Sequence, residues 1–425
     1  MMTFLGLCLI AGYLIFGRPF AYFGVPPFFP AETFLLLSSV VLMRAWLGSY
    51  LEQLNVFRPI AWWSGLLMAW GLVAFARGLS LGYDLETALK ELAAHYYIAF
   101  FFIGEVLGYR LNREKIARFY LVVGALAGIQ GIVFAVVTSR LDLVLPWNPE
   151  VSMFDTPAMI SYVIVGLVAF SSSLGMGGAI ALGLDFIAAL ANPGRAQWLS
   201  IILGCAVVFL LQGGRRMWIK VGAGLAAVVI VVFTVGSLIP ASEGRGGTLD
   251  PSWIVAQVVA TVDPNRAHEM LVGSGNVVDA SSIYARYGTV DWRYNLWADI
   301  IGSLETFELW LLGHGYGLEL SDMGAEVEDL RSPHNFVLYL LVYTGLVGVA
   351  LYAIVSAIFV SMVYRLPASP YRSCLLGQIV AVWTLALFGN ALEAPFVAVP
   401  FYLSMGIQYG AARLEAYTAT RNLRG

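Results

Sequence analysis

Charge is what this chain has least of. Only 12% of its 425 residues are charged, against about 25% in soluble globular proteins. Hydrophobic residues make up 59%. A deficit of that kind over this length excludes a water-soluble enzyme and predicts a polytopic membrane protein. Cysteine is also scarce: Cys8, Cys205 and Cys374 each lie in an apolar run without metal-ligand spacing. They offer neither a disulfide framework nor a metal site. The net charge is −3, so the balance points to no nucleic-acid partner. The N-terminal segment MMTFLGLCLIAGYLIFG lacks a basic leader and a clear small-residue cleavage site, and reads as a retained first span.

What the chain does have is a series of apolar runs of the length a bilayer demands, about 17–25 residues each. Twelve are read: 2–17, 31–48, 60–77, 95–111, 116–138, 156–174, 176–192, 196–213, 217–239, 336–364, 371–391 and 394–413. Three regions follow: spans one to nine over 1–239, a long loop over 240–333, and the last three spans with a tail over 334–425. Arg110, Arg113, Lys115, Arg118, Arg215, Arg216, Lys220, Arg365 and Arg372 crowd the short connections of one side. The short connections of the other side hold Arg18, Arg77, Lys90, Arg140 and Arg195. The positive-inside rule then puts both termini in the cytoplasm and the long loop outside.

Candidate chemistry gathers between Arg293 and Gly348. From Trp292 the pattern turns helical, with Leu296, Trp297, Ile300, Ile301, Leu304 and Phe307 as an apolar stripe suited to a membrane surface. Arg293 would lie at headgroup depth, where its planar fork suits phosphate oxygens. A structural ion pair with a loop acid is the alternative. GHGYG at 313–317 marks a tight turn, and glycines there permit a ligand to approach backbone N–H groups. The acids Glu319, Asp322, Glu326, Glu328 and Asp329 have no hard-metal spacing. In SPHN, Pro333 opens a helix and places His334 in its first turn, where the dipole disfavours imidazolium and leaves a neutral base. Glu393, the acid of the last outer turn, is a second candidate. YDLETALKELAAHYY reads as a short amphipathic helix with Leu85, Ala88, Leu89 and Leu92 on its apolar face. Lys90 on that helix is a cation near the boundary, or a snorkelling lysine.

The combination of Arg293 with Trp297, then GHGYG, then HNFVLYLLVYTGLVG resembles the O-antigen ligase and O-antigen polymerase superfamily. Twelve spans and one long outer loop before the third-last span are similar to its layout. The resemblance implies an all-α fold of the GT-C-like class, with a periplasmic loop containing amphipathic helices, in the bacterial inner membrane. It implies an inverting, metal-independent glycosyltransferase without cofactor. Its donor would be a glycan on undecaprenyl pyrophosphate and its acceptor lipid A-core or another glycan. By the same resemblance, Arg293 holds pyrophosphate and His334 is the essential histidine. GGRRMW looks like the family's S-R-G-x-W, with Arg215 at the arginine. ALKEL looks like A-L-R-D-L, with Lys90 for Arg and Glu91 for Asp. Arg286, Asn335, Glu393, Trp297, Gly313 and Gly315 complete the expected substrate-binding set. The rival class is a transporter, which twelve spans also suit; no inverted repeat supports it.

Overall fold

The computed structural model describes residues 1–25, 28–47, 59–138, 143–153, 158–192, 194–213, 292–323 and 332–422, with isolated positions between 219 and 270. The span expected at 217–239 and the loop from 240 to 291 lie outside the described residues. The described elements are overwhelmingly helical. They are α1 (Met2–Phe16), α2 (Pro30–Leu47), α3 (Pro59–Ser80), α4 (Leu85–Tyr96), α5 (Ala99–Gly108), α6 (Arg113–Thr138), α7 (Ile160–Ala191) and α8 (Arg195–Gln212). After them come α9 (292–302), α10 (Phe307–Leu312), α11 (Phe336–Tyr364), α12 (Pro370–Phe388) and α13 (Pro395–Asn422). The segment after α6 contains a short antiparallel hairpin, β1 (Val144–Leu145) with β2 (Asn148–Ser152). The Trp147 indole of its turn donates to the Tyr22 carbonyl at 3.0 Å.

Six of these helices, α3, α6, α7, α8, α11 and α12, are long and apolar enough to cross a membrane. Two of the six are not straight. In α7 the backbone breaks at Gly175 (φ 58°, ψ −145°). Leu167 and Asp185 then both approach the Cβ position of Gly124 on α6, at 2.7 and 3.1 Å. A straight helix would hold them about 27 Å apart, so the two halves fold back and both line α6. This agrees with reading 156–174 and 176–192 as separate runs. In α11 the break is at Gly345 (φ 65°, ψ −173°). The Phe336 and Tyr352 rings meet edge to face at 4.8 Å, although a straight helix would separate them by about 24 Å. The single span expected at 336–364 is therefore a short leg, 336–344, doubled back along a longer one. Gly345 permits this because a Cβ there would lie 2.2 Å from the Leu311 carbonyl oxygen and its φ is left-handed.

The run expected as one span at 95–111 is divided as well, between α4 and α5. Helix α5 is only ten residues long and packs backbone to backbone on α13. Gly104 and Gly108 meet the carbonyls of Leu403 and Ile407, while Gly406 and Gly410 meet those of Phe101 and Glu105. Small residues at this spacing are the usual means of close helix approach in lipid. Arg413 ties the end of the pair to Glu105 at 2.7 Å. Elsewhere in the core, Gln378 and Gln408 both donate to the Tyr120 hydroxyl, at 2.7 and 2.9 Å, joining α6, α12 and α13.

Candidate functional site

The site is built where α9, the start of α8 and the short leg of α11 converge. Helix α9 runs from Trp292 to residue 302. It buries Leu296, Ile300 and Leu304 but leaves Ile301 exposed. The stripe expected to continue through Phe307 does not. The chain turns at Ser303, and Thr306 caps a new helix, α10, by accepting the Leu309 N–H at 3.2 Å. Phe307 is exposed. The buried side of α9 presses the helix onto the bundle and presents Arg293 and Trp297 along the segment before α11.

Trp297 donates its indole N–H to the Pro333 carbonyl at 2.8 Å. Asn335 caps α11, its Oδ1 accepting the N–H groups of Val337 and Leu338 at 3.0 and 3.1 Å. Such a cap stabilises a helix by about 0.5–2 kcal/mol. Both residues are expected from sequence to contact substrate; their polar groups instead hold the turn on either side of His334. The helix begins at Phe336, after His334, which corrects the expectation of a first-turn histidine. His334 has φ 53°. A non-glycine residue held there costs on the order of 1–3 kcal/mol, and such strain clusters at functional sites. Among the described residues, no other non-glycine has a positive φ.

His334 is half-buried, with the Trp292 ring edge to face at 6.1 Å. Burial, and then the nearby Arg293 charge, hold its pKa below the ordinary histidine value. The neutral imidazole expected from a helix dipole is thus reached by another route. Arg293 is itself half-buried, and its Nε has no hydrogen-bond partner. Desolvation lowers its pKa, and the charge of Arg195 lowers it further. The expected alternative, an ion pair with a loop acid, is not found for Arg293 among the described residues. The charge of Arg195 thus reaches Arg293, and that of Arg293 reaches His334; like charges within reach of one another are relieved by an anion.

In the sequence Arg195 reads only as a charge on the outer connections. The signal that marks it is present there: Arg195 and Trp198 have the same Arg-x-x-Trp spacing as Arg215 and Trp218. Arg215 and Arg286 lie outside the described residues, and it is Arg195 that stands beside Arg293.

Glu393 lies on the other side of the segment. Its Oε1 accepts the Ser332 hydroxyl at 2.8 Å and its Oε2 accepts the Ala391 N–H at 3.1 Å. Burial raises its carboxyl to about 7, against the pull of these bonds. Glu393 thereby fixes the residue two before His334.

Lys90 is not gathered in. It pairs with Glu86 at 2.6 Å on an exposed face of α4, because i and i+4 side chains share a face. Gly313 and Gly315 are not a ligand cradle either. Their N–H groups donate to Leu309 and Tyr343 carbonyls at 2.8 and 3.0 Å. Their Cβ positions are filled by backbone atoms of Tyr343 on α11 and Gly78 on α3, at 2.5 and 2.6 Å. The turn lets three backbones meet. His314 within it bonds the Ser303 hydroxyl through Nε2 at 3.1 Å.

Comparison with known families bears on the stretch that carries these groups. Residues 178–353 match the O-antigen ligase family. That match supports the O-antigen ligase and polymerase superfamily and an enzyme of the glycosyltransferase kind. The ligase match contains Arg195, Arg293 and His334, whereas Glu91 and Glu393 lie outside it. No curated protein matches the chain.

Proposed function

We propose that the protein transfers a glycan from undecaprenyl pyrophosphate to an acceptor hydroxyl on the periplasmic face of the inner membrane, in the manner of an O-antigen ligase acting on lipid A-core. One observation carries the reading: Arg293 and Arg195 stand together beside a strained, neutral His334, with no acid paired to Arg293 among the described residues. The two guanidinium groups take the pyrophosphate of the donor, binding its oxygens through their planar forks. The acceptor oxygen forms the new bond to the anomeric carbon from the face opposite the leaving group. The bond from that carbon to the phosphate oxygen breaks, and its electron pair leaves with the pyrophosphate. Guanidinium charge stabilises that developing anion. His334 takes the acceptor hydroxyl proton. Inversion follows from the single displacement. No metal is needed for this balance of charge. The fold carrying these steps is twelve spans with the active site on the outer side.

Purified protein in detergent, given lipid-linked glycan and acceptor, should form linked product without a second compartment. A transporter yields none under those conditions. Lipid analysis of a deletion strain separates the two chemistries of the superfamily. Unattached long chains accumulate if the step is ligation, and single repeat units if it is polymerisation.

A further inference from the structure

Of the apolar face expected on α4, Ala88 is buried and Leu92 packs against the core, but Leu85 and Leu89 do not follow. Leu85 and Leu89 are 53% and 51% exposed, while Glu91 and His95 are 8% and 2% exposed. Buried polar groups need partners, and those of Glu91 come from two other elements. Its Oε2 accepts the Gly317 N–H at 2.7 Å, which grips the end of the GHGYG turn. Its main-chain carbonyl accepts the Tyr339 hydroxyl at 3.0 Å, which grips the short leg of α11. Tyr316 completes the seat: its N–H donates to the Ala74 carbonyl of α3, and its hydroxyl bonds His95 Nδ1 at 2.9 Å.

The short leg starts one residue after Asn335 and two after His334. Whatever fixes the leg fixes the height of the imidazole against the two arginines. We infer that Glu91 is a positioning residue that sets His334, its carboxyl holding the end of the GHGYG turn while its main-chain carbonyl holds the short leg of α11. The inference rests on the base role given to His334 above.

The Tyr343 hydroxyl donates its proton to the Leu318 carbonyl at 3.1 Å, which joins the short leg to the turn one residue past Gly317. Among the described residues, no cation faces the carboxyl to hold it ionised. Tyr316, Tyr339 and Tyr343 surround it, with Glu319 acting on Tyr343 and Glu393 on Tyr339. Arg77 of α3 is engaged by Glu308, Lys90 by Glu86, and Arg413 of α13 by Glu105. Burial pushes the Glu91 carboxyl up to about 8, with the Gly317 N–H bond pulling against it. A raised carboxyl pKa means the neutral clamp is fully present at low pH and is lost as pH rises through about 8.

The test pairs two readouts on Glu91→Gln and Glu91→Ala: hydrogen exchange of the 313–320 backbone, corrected for intrinsic rates, and the pH dependence of transfer. The amide of the glutamine variant keeps an uncharged acceptor for the Gly317 N–H. Glu91→Gln should therefore hold turn protection, keep kcat within about two-fold, and abolish the wild-type decline above about pH 8. Glu91→Ala should speed exchange of the turn and lower kcat at least tenfold with KM little changed. If Glu91→Ala does not fold, Glu91→Asp, which keeps the acid but shortens its reach, should give the same pattern. The inference is overturned if Gln is as damaging as Ala, or if Ala leaves protection and kcat unchanged. Loss of turn protection in Glu91→Ala, in a preparation whose wild type transfers no glycan, supports the clamp and overturns the glycosyl-transfer reading instead.

Discussion

Two polar clusters sit close together in this molecule and are built on opposite principles. Around Glu91, hydroxyls, carbonyls and N–H groups of α3, α4, the GHGYG turn and α11 find partners; His95 Nε2 is left over. Around His334, Arg293 keeps an unpartnered Nε, Arg195 adds like charge, and the histidine backbone is strained. Burial costs both clusters free energy. The first recovers it internally and gains rigidity. The second leaves the Arg293 Nε without a hydrogen-bond partner among the described residues, the place that the proposed function gives to an anionic ligand.

The sharpest way to break that contrast is His334→Ala, which should lower transfer by about 10²–10⁴-fold, the usual contribution of a general base, while thermal stability stays the same or rises. Activity within a few-fold of wild type would return His334 to the structural class. Arg293→Lys comes next. It keeps charge but not the fork, and should lose nearly as much as Arg293→Ala, about 10²–10³-fold in kcat as for other removed transition-state donors. Full transfer by the lysine variant in membranes contradicts the fork argument. Arg293→Ala also tests the electrostatics. The His334 pKa is depressed partly by this arginine, so removing it should raise the value toward about 6.5. The pH midpoint for diethyl pyrocarbonate modification of His334, followed by mass spectrometry, should move upward; an unmoved midpoint means burial alone sets the pKa.

Gly345→Ala probes the satisfied side. Its Cβ would strike the Leu311 carbonyl oxygen at a left-handed φ, so it should lose about 1–3 kcal/mol from backbone strain alone. Lower Tm and lower activity should appear together. The smallest effect is expected from Lys90→Met. An exposed i,i+4 pair contributes little, and transfer should stay within about two-fold. A large loss there would put Lys90 back in the binding set, against its pairing with Glu86.

Much of this is legible without any fold in hand. Apolar runs report their environment because lipid tolerates few charges. The Arg293–Trp297 spacing and the SPHN segment therefore stand out against an otherwise polar-poor chain. Three things do not show. Arg195 is hidden because a lone basic residue at a helix start looks like an anchor, and a second Arg-x-x-Trp at Arg215 competes for the motif. The two breaks at Gly175 and Gly345 are hidden because hydropathy is blind to φ. The orientation of α4 is misjudged because Glu91 and His95 find hydrogen-bond partners on other elements that no spacing reveals.

From the amino-acid order alone came the membrane class and the expectation that Arg293 and His334 act together, two groups that the structure brings within electrostatic reach of each other. These are local properties of composition and spacing. Which cation joins them, whether the histidine starts a helix or is held before one, and which buried acid clamps its support were decided only in three dimensions. Each depends on contacts between residues far apart in the chain, and a doubled-back helix brings such residues together at glycines whose freedom no hydrophobic pattern records.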